Sequence, residues 1–310
     1  MKKKLISAKK ALEDGKLIIF PTETVYGLGA NAEDKKAIKR IYALKNRPLN
    51  NPLICHFSSL SKIKNDFNFN SLDLKLAKKF WPGPLTLILK KKNNSKISPI
   101  LSNNSNFVGC RIPKNLITLR LLKTLSFPVA APSANIANRI STTRVEDLSK
   151  KLTNNALVIQ DKKSELGLES TVIKTINNEI EILRLGSITE EEILKKFPKN
   201  KIINNSLNNN LSPGNLKKHY SPKKKIRINV KNIKINEGLL NFGKNNLKSK
   251  NCEYNLSESS DLYEAANNFF HYLNVLDESN CESIAVAPIP EKGLGKTIND
   301  RLRRAVGNNE

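Results

Sequence analysis

The first two hundred residues alternate short apolar runs with stretches whose apolar positions recur at helical spacing, and this alternation most narrows what the chain can fold into. Leu17–Phe20 is a continuous apolar run suited to a buried strand and is closed by Pro21. A Thr- and Gly-rich loop follows, and then Ala37, Ile38, Ile41 and Leu44 predict a helix over Lys35–Lys45 with one buried stripe. Pro48 pushes Arg47 out of helical conformation. Lys45 therefore ends the helix and Arg47 follows in extended chain, so both can face one side.

The same reading predicts a helix over Leu5–Asp14 stopped by Gly15, and helices over Ser71–Phe80, over Leu116–Leu125 and near Arg144–Leu152. Thr189 and Glu192 form a capping box for a helix ending at Phe197. Strands are expected at Pro52–Phe57, Leu85–Lys90, Val108–Ile112, Pro128–Ala131, Ala156–Gln160 and Glu169–Ile176, with a polar loop at Asn93–Asn106. An α/β domain over residues 1–200 accounts for this order. Lys199–Asn210 is Asn-rich and weakly apolar, the composition of a linker, and is followed by Ser212-Pro213-Gly214 and His219-Tyr220-Ser221-Pro222. We divide the chain into 1–200, a linker at 201–224 and a smaller domain at 225–310. The last has strand candidates Ile226–Val230, Gly238–Phe242 and Ser283–Ala287, a helix from Asp261 and a final helix Thr297–Val306 with a basic end in Arg301, Arg303 and Arg304.

Length and 39% hydrophobic content suffice for a packed core in 310 residues, and a formal charge of +25 makes the surface attractive to anions. Of 53 Lys+Arg and 28 Asp+Glu, residues 223–310 hold only 14 and 11, so the basicity belongs to the N-terminal part. Much of it reflects a chain rich in Lys and Asn throughout, with lysines on solvated faces. Four scattered cysteines with no C-x-x-C suggest neither a zinc site nor a disulfide framework. Met1-Lys2-Lys3-Lys4 is not followed by an apolar signal core, and no run approaches a membrane span, so a soluble cytoplasmic protein is expected, with no membrane partner.

Gly27-Leu28-Gly29-Ala30-Asn31-Ala32 matches the dinucleotide fingerprint in form only. It starts six residues after the strand and lacks an acidic residue about twenty positions on, so tight-turn glycines explain it better. Gly295-Lys296-Thr297 resembles the end of a phosphate loop, but Pro290 stands where its first glycine should be. Lys45 and Arg47, taken alone, are what a helix C-terminus favours. Arg111, inside an apparent strand, needs an anionic partner, for which a ligand or a structural glutamate would serve. His56 reads first as a satisfied core histidine, and Ser133 and Asn135 as turn residues. Together, these groups fall at strand ends of one sheet, where α/β ligand sites form. Cations with hydroxyls and amides fit phosphate binding and electrostatic catalysis better than nucleophilic or metal hydrolysis.

PTETVYGLG at Pro21–Gly29, KNRPLNNPL at Lys45–Leu53, FWPGPLT at Phe80–Thr86, the Arg111 segment, APSAN at Ala131–Asn135 and LEST at Leu168–Thr171 resemble the threonylcarbamoyl-AMP synthase family. SPG…KHYSP before a small domain resembles its long, two-domain form. The resemblance implies an α/β fold: a twisted YrdC-like mixed sheet with flanking helices, plus a smaller C-terminal Rossmann-like α/β domain, the linker folding back over the active site. It implies an L-threonylcarbamoyladenylate synthase, a nucleotidyltransferase using L-threonine, bicarbonate and ATP, with Mg2+ carried mainly by the ATP phosphates and no protein metal site. The product would pass to a downstream threonylcarbamoyl transferase machinery for t6A modification at position 37 of tRNA.

By motif, Lys45 and Arg47 would be catalytic. With Asn51, Ser133, Asn135, Ser141, Arg184 and Tyr220 they would bind ATP, Tyr220 closing over the nucleotide. Thr24, His56, Arg111, Ala131 and Ser170 would bind threonine, Arg111 pairing its carboxylate. The alternative is a double-stranded RNA or tRNA-binding protein with a YrdC-like fold, which basicity favours and the lack of clustered aromatics disfavours. A hydrogenase-maturation-type carbamoyl transferase would need zinc-finger-like segments that this chain lacks.

Overall fold

A computed structural model describes residues 2–203 and 219–307. The Ser212-Pro213-Gly214 segment and most of the expected linker lie outside the described residues. The first domain is built on a mixed sheet whose strands lie in the order Ile202–Ile203, Glu179–Arg184, Thr171–Ile176, Leu85–Lys91, Phe107–Arg111, Ile54–His56, Val129–Ala131, Gly27–Asn31, Ile18–Phe20 and Leu157–Val158. The short strand Phe67–Asn68 pairs alongside Leu85–Lys91. Helices Lys35–Lys45 and Ser71–Phe80 pack their apolar stripes into the main core. Helices Lys2–Glu13 and Leu116–Thr124 bury theirs in a second core, with Ile18, Phe20 and Val129.

The second domain has a four-stranded sheet, all parallel, in the order Lys225–Arg227, Ser283–Val286, Glu237–Asn241 and Glu253–Asn255. Helices Leu262–Glu278 and Leu294–Val306 bury their apolar faces against it. Its core does not end at the domain border: Val25, Ile140 and Leu168 of the first domain share a cluster with Tyr220, Phe269 and Phe270. The two sheets are thus joined by apolar burial as well as by chain.

Several expectations are corrected. Gly27–Asn31 is a strand, antiparallel to Ile18–Phe20, where a turn was expected. Its glycines are there for close approach: a Cβ on Gly27 or Gly29 would come within 2.8 or 2.7 Å of the Phe20 ring. Thr22–Tyr26 alone is the loop. The helix expected near Arg144–Leu152 is a 3-10 turn, Val145–Asp147, and a separate short helix, Lys150–Thr153, interrupted by extended residues at Leu148 and Ser149. The polar stretch Asn93–Asn106 contains the 3-10 turn Pro99–Ser102, pinned by fully buried Leu101. Leu60–Asp66, Glu179–Arg184 and Glu253–Asn255 are elements that periodicity did not show, and the last helix begins at Leu294. Among the described residues no helix is long and apolar enough to cross a membrane.

Gly167 sits where the domains meet, with φ +71, and a Cβ there would lie 2.2 Å from the Ala266 carbonyl oxygen. Left-handed backbone costs a side-chain-bearing residue about 1–2 kcal/mol, and here the neighbouring helix backbone must also move. Gly167→Ala should therefore destabilise the protein by about 2 kcal/mol or more. The check is a lowered urea midpoint followed by far-ultraviolet circular dichroism, and an unchanged midpoint contradicts this account of the domain contact.

Candidate active site

The cleft is assembled by sheet pairing. Parallel pairing of Ile54–His56 with Phe107–Arg111 sets His56 beside Arg111, and antiparallel pairing with Val129–Ala131 places Ala131 opposite Ile54. The Thr22–Tyr26 loop, the turn after Ala131 and the Glu169–Ser170 segment gather over these strand ends. Together with Arg47, Arg184, His219 and Tyr220 they line one cleft, partly open to solvent.

Lys45 does not line the cleft itself but lies behind its Ser133 edge, where the helix ends. Asn46 caps the helix in left-handed conformation and donates to Ala43 and Tyr42 carbonyls, turning the chain so that Lys45 points inward. The helix-dipole reading of Lys45 fails, since the side chain is 1% exposed and its ammonium donates to the backbone carbonyls of Ser133 (2.6 Å) and Asn135. Those carbonyls are fixed by the turn itself: Ser133 donates to the Asn135 side chain, whose amide nitrogen donates to Ile136 (2.9 Å) and Arg139 (2.8 Å) carbonyls. Burial, and then the neighbouring Arg47 charge, hold the Lys45 pKa well below its usual range.

Arg47 donates through Nε to the Asn51 carbonyl (2.9 Å) and through Nη2 to the Asn51 side chain and the Pro52 carbonyl (2.8 Å). Asn51 therefore orients Arg47. Burial lowers the Arg47 pKa to about 10. Arg184, at a strand end, wraps Ser170, donating to its carbonyl (2.7 Å) and hydroxyl (3.0 Å). The Ser170 hydroxyl also meets Thr86 at 2.8 Å.

Arg111 has its anion within the protein. Nη2 pairs with Glu23 at 2.8 Å, Nη1 donates to Thr24 (2.9 Å) and Nε to the Gly83 carbonyl (3.3 Å). Of the two partners the strand arginine required, the structural glutamate is the one present, and it comes from the PTETV loop. Two of the five guanidinium hydrogens remain for a ligand. His56 is buried, with Nδ1 3.1 Å from the Ile54 carbonyl, and burial followed by the Arg111 charge pushes its pKa down to about 3, so it is neutral.

Ser141 is fully buried and donates to Glu169 Oε1 at 2.6 Å, which puts its hydroxyl behind the cleft wall. Tyr220 closes one side with φ +61, its ring stacked on Phe270 at 5.6 Å. Four groups at the site were not singled out from sequence: Thr22, Glu169 and His219 line the cleft, and Glu23 lies behind it on Arg111. All lie inside motifs already conspicuous there. A fifth, Arg301, was read as part of a basic helix end, yet it is wholly buried against Glu169.

Among the described residues no group of three or more His, Cys, Asp or Glu could hold a metal ion. Glu169, in the cleft wall, is paired with Arg301, and Glu23, behind the cleft, with Arg111. The remaining cationic and hydroxyl donors suit an anion.

Known proteins resemble this chain over nearly its whole length. Residues 10–186 match a family model described as Telomere recombination, of the Sua5/YciO/YrdC type, and residues 188–307 match one described as Threonylcarbamoyl-AMP synthase, C-terminal domain. The threonylcarbamoyl-AMP synthase of Pyrococcus abyssi is 34% identical, the alignment covering 96% of this chain and 92% of that protein. The Bacillus subtilis protein of the same name is 30% identical over 98% and 93%. The crystal structure of P. abyssi Sua5 complexed with L-threonine superposes with a TM-score of 0.86 at 31% identity, covering 98% of this chain and 94% of that one. The chain belongs to the threonylcarbamoyl-AMP synthase family.

Proposed function

We propose that the protein condenses L-threonine, bicarbonate and ATP into L-threonylcarbamoyladenylate and diphosphate, in the cytoplasm, to supply t6A modification of tRNA. The observation that carries this reading is the buried pair Lys45 and Arg47, held by carbonyl and amide oxygens alone, Arg47 lining the cleft and Lys45 lying behind its Ser133 edge. Dipoles tolerate such charges, but a polyphosphate compensates them. A phosphate charge about 4 Å from one cation gains about 4 kcal/mol at an effective dielectric constant near 20.

ATP would lie along Lys45, Arg47 and Arg184, with Ser133 and Asn135 beneath and Tyr220 above. Asn51 and Ser141 support it at one remove, through Arg47 and Glu169. Threonine would lie between Thr24, His56, Ala131 and Ser170, its carboxylate taking the free hydrogens of Arg111 and its side chain facing neutral His56. Threonine's amine adds to CO2 released from bicarbonate with loss of water, giving a carbamate. A carbamate oxygen then attacks the α-phosphorus in line and diphosphate leaves. Positioning and charge neutralisation carry such a transfer. Mg2+ on the phosphates would neutralise further charge, and the protein's own part is to orient the phosphates and balance the negative charge that develops.

Replacing Lys45 or Arg47 with Ala should lower threonine-dependent diphosphate release by about a hundredfold or more with the circular dichroism spectrum unchanged. Near-normal activity in both variants overturns the assignment.

Proton linkage supplies a second test. Free Lys45 has a depressed pKa, and bound phosphates would raise it. ATP affinity should thus be full below the free-state pKa and decline as pH rises through it, binding being accompanied by proton uptake. Calorimetry in buffers of different ionisation heat measures the uptake. Its absence at mildly alkaline pH, or its persistence in Lys45→Arg, counts against Lys45 as the phosphate ligand.

A further inference from the structure

We propose that Arg301, on the C-terminal helix Leu294–Val306, is a positioning residue of the active site that holds Tyr220 and Glu169 in place for nucleotide binding. The second domain on this account completes the site. The inference rests on the reading of the cleft as an ATP site.

Arg301 is 0% exposed, the largest fully buried side chain among the described residues. Each face of its guanidinium fork has an assignment. Nε pairs with Glu169 Oε2 at 3.1 Å, Nη2 donates to the Leu185 carbonyl at 2.7 Å, and Nη1 meets Asp300 at 2.5 Å. The guanidinium also lies over the Tyr220 ring, with Cζ 5.0 Å from the centroid. One side chain of the second domain thus grips two segments that line the cleft.

What it grips bears on the nucleotide side. The other oxygen of Glu169 accepts from Ser141, and Ser170 beside it is wrapped by Arg184. The Tyr220 ring meets both Arg301 and Phe270, each from the second domain. The same helix end holds the residues on either side of Tyr220: His219 N–H donates to the Arg304 carbonyl (3.1 Å) and the Ser221 hydroxyl to the Ala305 carbonyl (3.1 Å). Thr297, one turn earlier, donates to the Gly186 carbonyl (3.1 Å).

A stability role explains these contacts poorly. A buried ion pair seldom stabilises more than a packed apolar side chain of equal volume. The planar fork instead fixes direction at Glu169, Leu185 and Tyr220 at once, which a lysine cannot reproduce.

The test compares full-length wild type with Arg301→Met, which keeps volume, Arg301→Lys, which keeps charge, and Arg303→Met as a control on the same helix, at an exposed residue paired with Glu291. Diphosphate release gives kcat and separate KM values for ATP and threonine, and calorimetry gives the Kd for ATP. Nitration by tetranitromethane, mapped by mass spectrometry, reports access to Tyr220.

Both Arg301 variants should raise the KM and Kd for ATP, by about tenfold for Met, with threonine KM changed less than about twofold at saturating ATP. Tyr220, protected in wild type, should become nitrated in Arg301→Met, and Arg303→Met should match wild type. A merely structural role would lower kcat through lost active protein and leave both KM values unchanged. That result, or an unaltered ATP Kd with Tyr220 still protected, overturns the proposal, and should Arg301→Met fail to fold, Arg301→Lys decides. A wild type that binds ATP but releases no diphosphate would defeat the reaction reading and leave the ATP Kd and nitration tests of Arg301 standing.

Discussion

Burying positive charge is the constraint around which the cleft is built. Lys45, Arg47, Arg111, Arg184 and Arg301 are each less than 9% exposed, and an isolated buried cation is costly. Two carboxylates meet part of that cost, Glu23 with Arg111 and Glu169 with Arg301. Burial would raise the Glu169 pKa, but Arg301, Arg184 and the Ser141 hydroxyl outweigh it and keep the group ionised. Lys45 and Arg47 rely on oriented carbonyls instead. His219 is the counterpart: burial together with Arg47, Lys45, Arg301 and Arg184 holds it neutral, and its Nδ1 has no hydrogen-bond partner among the described residues. The region is organised to receive negative charge and to accept no further positive charge.

The two ends of this charge distribution have different supports, which explains a division of labour inside one cleft. Arg111 is locked by Glu23, Thr24 and Gly83 within the first domain, so the proposed threonine end is rigid without help from elsewhere. At the proposed nucleotide end, Tyr220 and Glu169 depend on contacts from the second domain. Fixed donors are effective when no reorganisation is needed at the moment of reaction.

Legibility from sequence followed physical range. The helix Lys35–Lys45 and the direction of Lys45 and Arg47 were readable because periodicity and Pro48 act locally. Arg111's need for an anion was readable from its strand setting, but Glu23 as the answer was not, since 88 residues separate them and only sheet pairing brings them together. Gly27 and Gly29 misled because glycine composition marks turns, whereas here the Phe20 ring excludes any Cβ from a strand. The strand Glu179–Arg184 went unseen although Glu179–Ile182 alternates, and Arg184 was identified only by resemblance. Arg301 looked like a solvated helix end, because nothing within its helix signals the carboxylate that meets it from the other domain.

The closing side of the cleft answers a chemical difficulty in the proposed reaction. A carbamate loses CO2 readily, and a carbamoyl adenylate is a mixed anhydride open to hydrolysis, so access of water at the wrong moment wastes both. A cleft walled by one open sheet could not exclude it. Here one side is closed by Tyr220, 1% exposed, seated in a core shared by Val25, Ile140 and Leu168 of one domain and Phe269 and Phe270 of the other. Apolar burial and the Arg301 contacts act on the same ring, so this wall of the cleft depends on the second domain being docked.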